Sequence, residues 1–331
     1  MGLATAMPSL IGVVLITFVL TRALPGDPAA YFAGPAASAE AVEEIRRQLG
    51  LDRSLPAQFL GYVQDLARGD LGTSLTTGQA VALELRTRLP ASLELTLCAL
   101  LLASLIGIPL GVVAATRPGS LVDHACRVGT TLGVALPVFF TGVLLIYAFY
   151  FLAGWAPAPL GRLDPLLEPP PSRTGFYLLD SLLAGDLVVF GEAARQLALP
   201  VLTLGLVAMA PLARMTRASM LGVLSSEYVR TARALGLSPW KVKFVYAFKN
   251  ALLPILTTLG MTFSFLLGAN VLVEKVFAWP GVGSYALEAL IASDFAPVQG
   301  FVLAMGILYV LLNLSIDVLY GFVDPRIARA H

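Results

Sequence analysis

Sorted into hydrophobic and polar positions, the chain is a series of long apolar runs with charged or proline-rich stretches between them. The runs fall at residues 7–24, 91–115, 128–153, 196–216, 251–276 and 298–323. A helix that spans a bilayer needs about 20 apolar residues. The pattern therefore predicts an all-α polytopic membrane protein with six transmembrane helices. Pro109, Pro137, Pro200 and Pro211 lie inside or beside the runs and suit bent helices, with a kink expected at Pro137. No Lys or Arg precedes the first run, so it lacks the basic start of a signal peptide and reads as a retained helix.

The stretch 25–90 breaks the pattern. It carries eight acids and six arginines, too many charges for a span. Residues 38–49 read as a capped amphipathic helix, with acids in the first turns and Arg46 and Arg47 in the last, which suits the helix dipole. Gly50 ends it, and a second helix is expected over 54–67. The organisation is then a first transmembrane helix at 1–24, a small extracytoplasmic helical insert at 25–90, and a five-helix core at 91–331. Residues 154–195, rich in Pro, Gly and acids, read as an irregular external loop. The segment V-F-A-W-P-G-V-G-S-Y between the last two runs suits an interfacial hairpin. Glu94 and Glu274, near the outer ends of their spans, are expected at the interface too.

Composition sharpens the class. Hydrophobic residues make up 57% of the 331, charged residues only 13%, and mean hydropathy is +0.80. Soluble domains carry about 25% charged residues. A net charge of +1 supplies no global field for nucleic acid. Two cysteines, Cys98 and Cys126, and two histidines, His124 and His331, are too few and too scattered for a disulfide framework or a metal centre.

Charge is segregated instead. Residues 214–250 hold seven Lys or Arg and one acid, Glu227. Basic short loops mark the cytoplasmic side. Counting spans outward from that block puts both termini inside, with 25–90, 154–195 and 277–297 outside. Arg326 and Arg329 in the tail agree. The block itself reads as two short helices around a break at Gly236, with Ser238 as the next cap and Pro239 at the first helical position.

No nucleotide-binding G-x-x-x-x-G-K-[ST], no G-x-S-x-G and no H-E-x-x-H occurs, so no catalytic residue and no resident cofactor are expected. Polar residues within the spans are sparse. Asn270, Asn313 and Asp317 are the translocation-path candidates, since polar groups at membrane depth pair or line wet paths. Asn313 and Asp317 stand at i and i+4 on one helix face, which also suits hydrogen bonding between helices. A secondary transporter or channel subunit is the alternative class. It predicts inverted repeats and mid-membrane charges, and neither is evident.

T-A-R-A-L-G followed by K-N-A-L-L-P resembles the cytoplasmic "EAA" loop of ABC importer permeases, in their dipeptide, oligopeptide and nickel branch. L-P-G-D-P-A-A at 24–30, R-G-D-L-G-T-S at 68–74, R-L-P-A-S-L-E-L at 88–95 and N-L-S-I-D-V-L-Y-G-F-V-D-P-R at 313–326 extend the resemblance over nearly the whole chain. It implies the type I importer permease fold in a bacterial inner membrane. It also implies a second, homologous permease subunit, two ABC ATPase subunits that use the ATP, and an extracytoplasmic solute-binding protein. Membrane lipid surrounds the complex and nucleic acid has no part in it. The coupling loop then lies at 217–250, with Glu227, Tyr228, Arg230, Thr231, Ala232, Arg233, Ala234 and Gly236 as its contact residues. Ala232 and Gly236 match the family's small positions, where bulk would push the helix off its partner. Two departures stand out: Arg230-Thr231-Ala232 occupies the Glu-Ala-Ala positions, and Leu235 replaces a frequent Lys.

Overall fold

The structure is a computed structural model, and it describes residues 2–23, 27–34, 36–48 and 50–323. Those residues contain thirteen α-helices and no strand. The motif at 24–30 lies partly, and the C-terminal tail with Arg326 and Arg329 wholly, outside the described residues. Four helices are long and apolar enough to cross a membrane: α5 (Val81–Thr116), α9 (Leu187–Leu224), Lys241–Val276 and α13, Phe295–Gly321 of Phe295–Val323. A fifth candidate is a bent pair, and the helix α1 (Gly2–Ala23) contains the shorter apolar stretch Leu10–Val19.

The bent pair is α6 (Leu121–Ala135) with α7 (Val138–Leu145), which runs on in wider π-helical turns over Ile146–Leu152. The two halves meet at 101°, where a kink at Pro137 was expected. The cause is local. Proline has no N–H and disfavours helical geometry in the residue before it. Leu136 accordingly sits at φ −97°, ψ 140°, and α7 restarts from Pro137.

The chain clusters into two compact units, Met1–Pro90 with Pro280–Leu311, and Ala91–Trp279 with Leu312–His331. In the first, α2 (Pro28–Ala33), α3 (Ala39–Gln48) and α4 (Leu55–Ala67) form the expected helical stretch after α1. Gly50 takes the left-handed φ of 64° that ends α3. Phe18 of α1 meets Phe59 edge-on at 5.2 Å and stacks on Tyr62 at 6.0 Å. Val81 and Leu85 bury against Val282 and Tyr285 of α12 (Val282–Ile291). Just past α12, the buried Asp294 accepts hydrogen bonds from Ser74 Oγ at 2.8 Å, Leu75 N at 2.7 Å and Thr76 N at 3.1 Å. That carboxylate fixes a turn more than 200 residues away in sequence.

In the second unit α9 is the hub, packing on α6, α7, α11 (Lys249–Val276) and the short helix α8 (Tyr177–Ala184). Leu95 and Ala99 of α5, Leu204 and Leu212 of α9, and Leu266 and Val273 of α11 form one buried cluster with Trp279. Small residues let the backbones approach closely, as membrane helices require. A Cβ at Gly111 of α5 would lie 2.6 Å from both the Ala213 carbonyl and Thr216 Cβ of α9.

Candidate functional site

The basic block breaks at Gly236 as its sequence indicates, but the second of the two expected short helices continues without a break into α11. α9 ends at Leu224, where Ser225 and Ser226 hydroxyls bond back to the Gly222 and Val223 carbonyls. Ser226 then turns extended, at φ −71° and ψ 153°, and α10 runs over Glu227–Ala234. Its inner face is Val229 and Ala232, at i and i+3. Both are buried against Val242, Val223, Leu224 and Leu237. Its outer face carries Glu227, Tyr228, Arg230, Thr231, Arg233 and Ala234, all exposed. Arg230 pairs with Glu227 at 2.8 Å, but in open solvent such a pair adds little. The exposed apolar side chains Leu235 and Trp240 extend this face beyond the helix.

The end of α10 is a Schellman motif. Gly236 N–H donates to the Arg233 carbonyl at 3.0 Å, and Leu237 N–H to the Ala232 carbonyl at 3.3 Å. Gly236 sits at φ +75°, which a side chain resists. Leu237 returns to pack on Val229 and Ala232, the apolar contact that accompanies this motif. Beyond it, Lys241–Phe248 forms π-helical turns that run directly into α11. The ends of α5 and α9 and the segment Leu237–Lys243 enclose a groove of about 430 Å³, into which Arg233 and Lys243 both project.

The burial of Ala232 changes the physical argument for its size. Its Cβ points into its own chain, so bulk at Ala232 would lift α10 off Val242 before it met anything outside. Nearby, Arg217 of α9 holds Asp123 of α6 with Nε–Oδ1 at 2.5 Å and Nη2–Oδ2 at 3.0 Å. Gly119 N–H donates to the same carboxylate at 2.9 Å. A bidentate pair of this kind fixes both distance and orientation.

The far side of this unit holds a buried polar network that periodicity did not indicate. Glu94 and Glu274, expected at the interface, are 4% and 0% exposed. Glu94 pairs with Arg162 at 2.6 Å and accepts from Leu178 N–H at 2.8 Å. The Arg162 guanidinium also donates to the Gly175 carbonyl and lies 3.6 Å over the Tyr177 ring. Glu274 accepts from Ser92 Oγ at 2.5 Å. Trp279, expected in an interfacial hairpin, is 2% exposed, and its indole N–H donates to the Ala91 carbonyl at 3.0 Å. Glu94 owes its burial to the loop Trp155–Asp186, which meets α5 and brings Arg162 and Tyr177, whereas Glu274 and Trp279 are taken up by Ser92 and the Ala91 carbonyl of α5. Asp180 secures that loop. Burial pushes its carboxyl up, but hydrogen bonds from Thr174, Gly175 and Arg173 outweigh burial and hold it below the ordinary carboxylate range.

Asn270 of α11 is buried, and its amide donates to Ser92 O at 3.0 Å and Thr96 Oγ1 at 3.1 Å of α5. Asn313 and Asp317 lie together on an exposed face of α13. The path candidates therefore occupy two separate places.

Among the described residues, several apolar helices with a docked basic helix at the end of one of them define a polytopic membrane protein. Residues 107–329 match the family described as "Binding-protein-dependent transport system inner membrane component", and residues 3–96 match its N-terminal companion. The chain belongs to this family of inner-membrane transport permeases. It is 48% identical to the probable D,D-dipeptide transport system permease protein DdpB of Escherichia coli K12, over 96% of this chain and 93% of that one. It is 44% identical to the di/tripeptide transport system permease protein DppB of Pseudomonas aeruginosa, covering 98% and 96%. Among solved structures, a chain of the MetNI methionine ABC transporter, in inward-facing form, matches with TM-score 0.52 and 18% identity, covering 71% of this chain and 93% of that one. At that identity the likeness is one of fold.

Proposed function

We propose that this chain is one of two permease subunits of an ATP-driven importer for short peptides, with α10 as the element that couples it to an ATPase. The carrying observation is the form of α10. It is a separate helix, seated on its own chain through Val229 and Ala232, with a cationic and aromatic face left open. A face of that kind fits a groove on a partner that moves with nucleotide. The π-helical turns 241–248 give a direct mechanical route from α10 into α11.

In this reading α1, α5, the α6–α7 pair, α9, α11 and α13 are six spans, and both termini face the cytoplasm. The stretch 25–90 faces outward, where a solute-binding protein delivers substrate. The homologous second permease completes the path, and two ABC ATPases use the ATP. Asn313 and Asp317, on an open face of α13, contribute to the path wall, and Asn270 supports it from behind through α5. The peptide substrate follows from the names of the relatives, of which one handles D,D-dipeptides and another di- and tripeptides.

The test uses the assembled complex in proteoliposomes. Leu235→Glu changes the open face without touching the buried one. The expected result is intact assembly, with peptide uptake and uptake-linked ATP hydrolysis both reduced at least tenfold. Full coupling in this variant would remove α10 from the coupling role. Uptake of L-Ala-L-Ala against D-Ala-D-Ala assigns the stereochemistry.

A further inference from the structure

The groove beside α10 has no part in the coupling contact proposed above. It encloses about 430 Å³, within the range of about 300–1,000 Å³ usual for small-molecule sites. Its lining is of two kinds. Ala115 of α5 and Leu221 and Leu224 of α9 give an apolar side. Arg233, in the last turn of α10, and Lys243, in the π-helical turns, give a cationic side. No acid lines it.

The two cations are uncommitted. Arg233 is exposed and Lys243 half-buried, and among the described residues neither side chain has an ion pair or a hydrogen bond. Glu227, the one acid of the basic block, is taken by Arg230. Topology alone asks for basic residues on this side of the membrane. It does not ask that two of them line one concavity next to an apolar wall.

The level of the groove is set by α5. Residues 95–116 carry no charged side chain, which is about 33 Å of helix at about 1.5 Å per residue. That matches a hydrocarbon layer about 30 Å thick. Glu94 stands at one end of the run and Arg117 at the other. Ala115 and Thr116, its last residues, both line the groove, so the groove opens at headgroup level. The chain that follows agrees. Trp240, Phe244 and Phe248 form a ladder of rings 5.3 and 6.5 Å apart. Trp240 and Phe244 are exposed, as are Lys241 and Lys249. Aromatic and cationic side chains together are the composition of a membrane interface.

We propose that this groove holds an anionic phospholipid of the inner leaflet, its phosphodiester between Arg233 and Lys243 and its apolar part against Ala115, Leu221 and Leu224. Basic pockets at the cytoplasmic ends of membrane helices suit such headgroups, and the apolar wall selects a lipid over a free phosphate. Arg233 belongs to α10 and Lys243 to the turns that run into α11, so the bound headgroup ties these two elements together. Only the choice of leaflet rests on the permease reading above.

The test reconstitutes the complex in vesicles of phosphatidylcholine and phosphatidylglycerol, extracts it again in detergent, and measures the retained lipid by mass spectrometry. Lys243→Gln is expected to retain about fivefold less phosphatidylglycerol, the equivalent of about 1 kcal/mol for one cation near an anionic surface. Phosphatidylcholine and subunit composition should stay as in wild type. Lys243→Arg, which keeps the charge, is expected to retain the lipid. So is Lys241→Gln, which removes the same charge outside the groove. Equal phosphatidylglycerol in wild type and Lys243→Gln overturns the site. An equal loss in Lys241→Gln and Lys243→Gln also overturns it, because the attraction would then belong to the surface as a whole. Loss of a copurifying protein subunit from Lys243→Gln with phosphatidylglycerol unchanged overturns it too, since an acidic side chain of that subunit would then occupy the groove. Retention that depends on Lys243, in a complex that takes up no peptide, would keep the site and remove the permease reading.

Discussion

Arg162 is the perturbation with the clearest energetic consequence. Arg162→Met removes the only cation that Glu94 is paired with among the described residues, and Glu94 is 4% exposed. An uncompensated buried carboxylate of this kind costs about 3–5 kcal/mol. The loss is concentrated on the loop Trp155–Asp186, because the same guanidinium also holds Gly175 and stacks on Tyr177. Glu94→Gln keeps an acceptor for Leu178 N–H but strands the arginine. The double variant leaves neither charge stranded, so it should recover most of the loss, since replacing both members of a buried pair is often near neutral. Equilibrium unfolding of the detergent-purified complex, with limited proteolysis of the loop, reads the three variants as a double-mutant cycle. Single variants that each cost under about 1 kcal/mol, the range of an exposed pair, would refute the reasoning. So would a double variant equal to the sum of the singles.

Three further outcomes follow from the same contacts. A Cβ at Gly236 meets no neighbouring atom within 4 Å, so the cost of Gly236→Ala is backbone strain alone, about 1–2 kcal/mol, read as faster proteolysis between α10 and α11. Gly111→Val places a side chain against the Ala213 carbonyl and should destabilise by about 1–3 kcal/mol or more in thermal unfolding, whereas Gly222→Ala, in open space on the same helix pair, should not. Asp180 is held below its ordinary value of 3.8, so its charged form stabilises the fold above that pH and the contribution is lost as pH falls through 3.8 toward the folded value. The stability gap between wild type and Asp180→Asn should therefore be constant at neutral pH and close on acidification below about pH 4. A gap that widens there would contradict the assignment.

Much of the architecture was legible as one-dimensional pattern. The helices α3 and α4, the end of α3 at Gly50, and the break at Gly236 all follow from local signals: a cap, a dipole-matched charge order, a left-handed glycine. Four of the six apolar runs lie in helices long and apolar enough to cross a membrane, 128–153 lies in the bent pair, and the first run contains only the shorter apolar stretch Leu10–Val19. What escaped was set by partners distant in sequence. Glu94 and Glu274 looked interfacial because position in a run says nothing about a cation 68 residues away or a serine on another helix. Trp279 looked like a belt residue because its acceptor, the Ala91 carbonyl, is a backbone atom with no sequence signature. Pro137 indicated a bend, but its size depends on how the flanking segments pack, and Gly142 seated against Phe277 and Thr203 fixes α7 in its own direction. The inward face of Ala232 was readable in principle, since Val229 and Ala232 are the apolar i, i+3 pair of α10.

The closed C-terminus of α10 has a thermodynamic corollary. Its last carbonyls are satisfied by Gly236 and Leu237, and its inner face is already buried. An isolated eight-residue helix would be mostly coil in water, and ordering it on contact would cost about 1–2 kcal/mol per residue in lost backbone entropy. A protein that engaged α10 would meet a preorganised shape and forgo that cost. A displacement of such a partner would be carried as rotation or translation of the helix, with little of it absorbed by refolding.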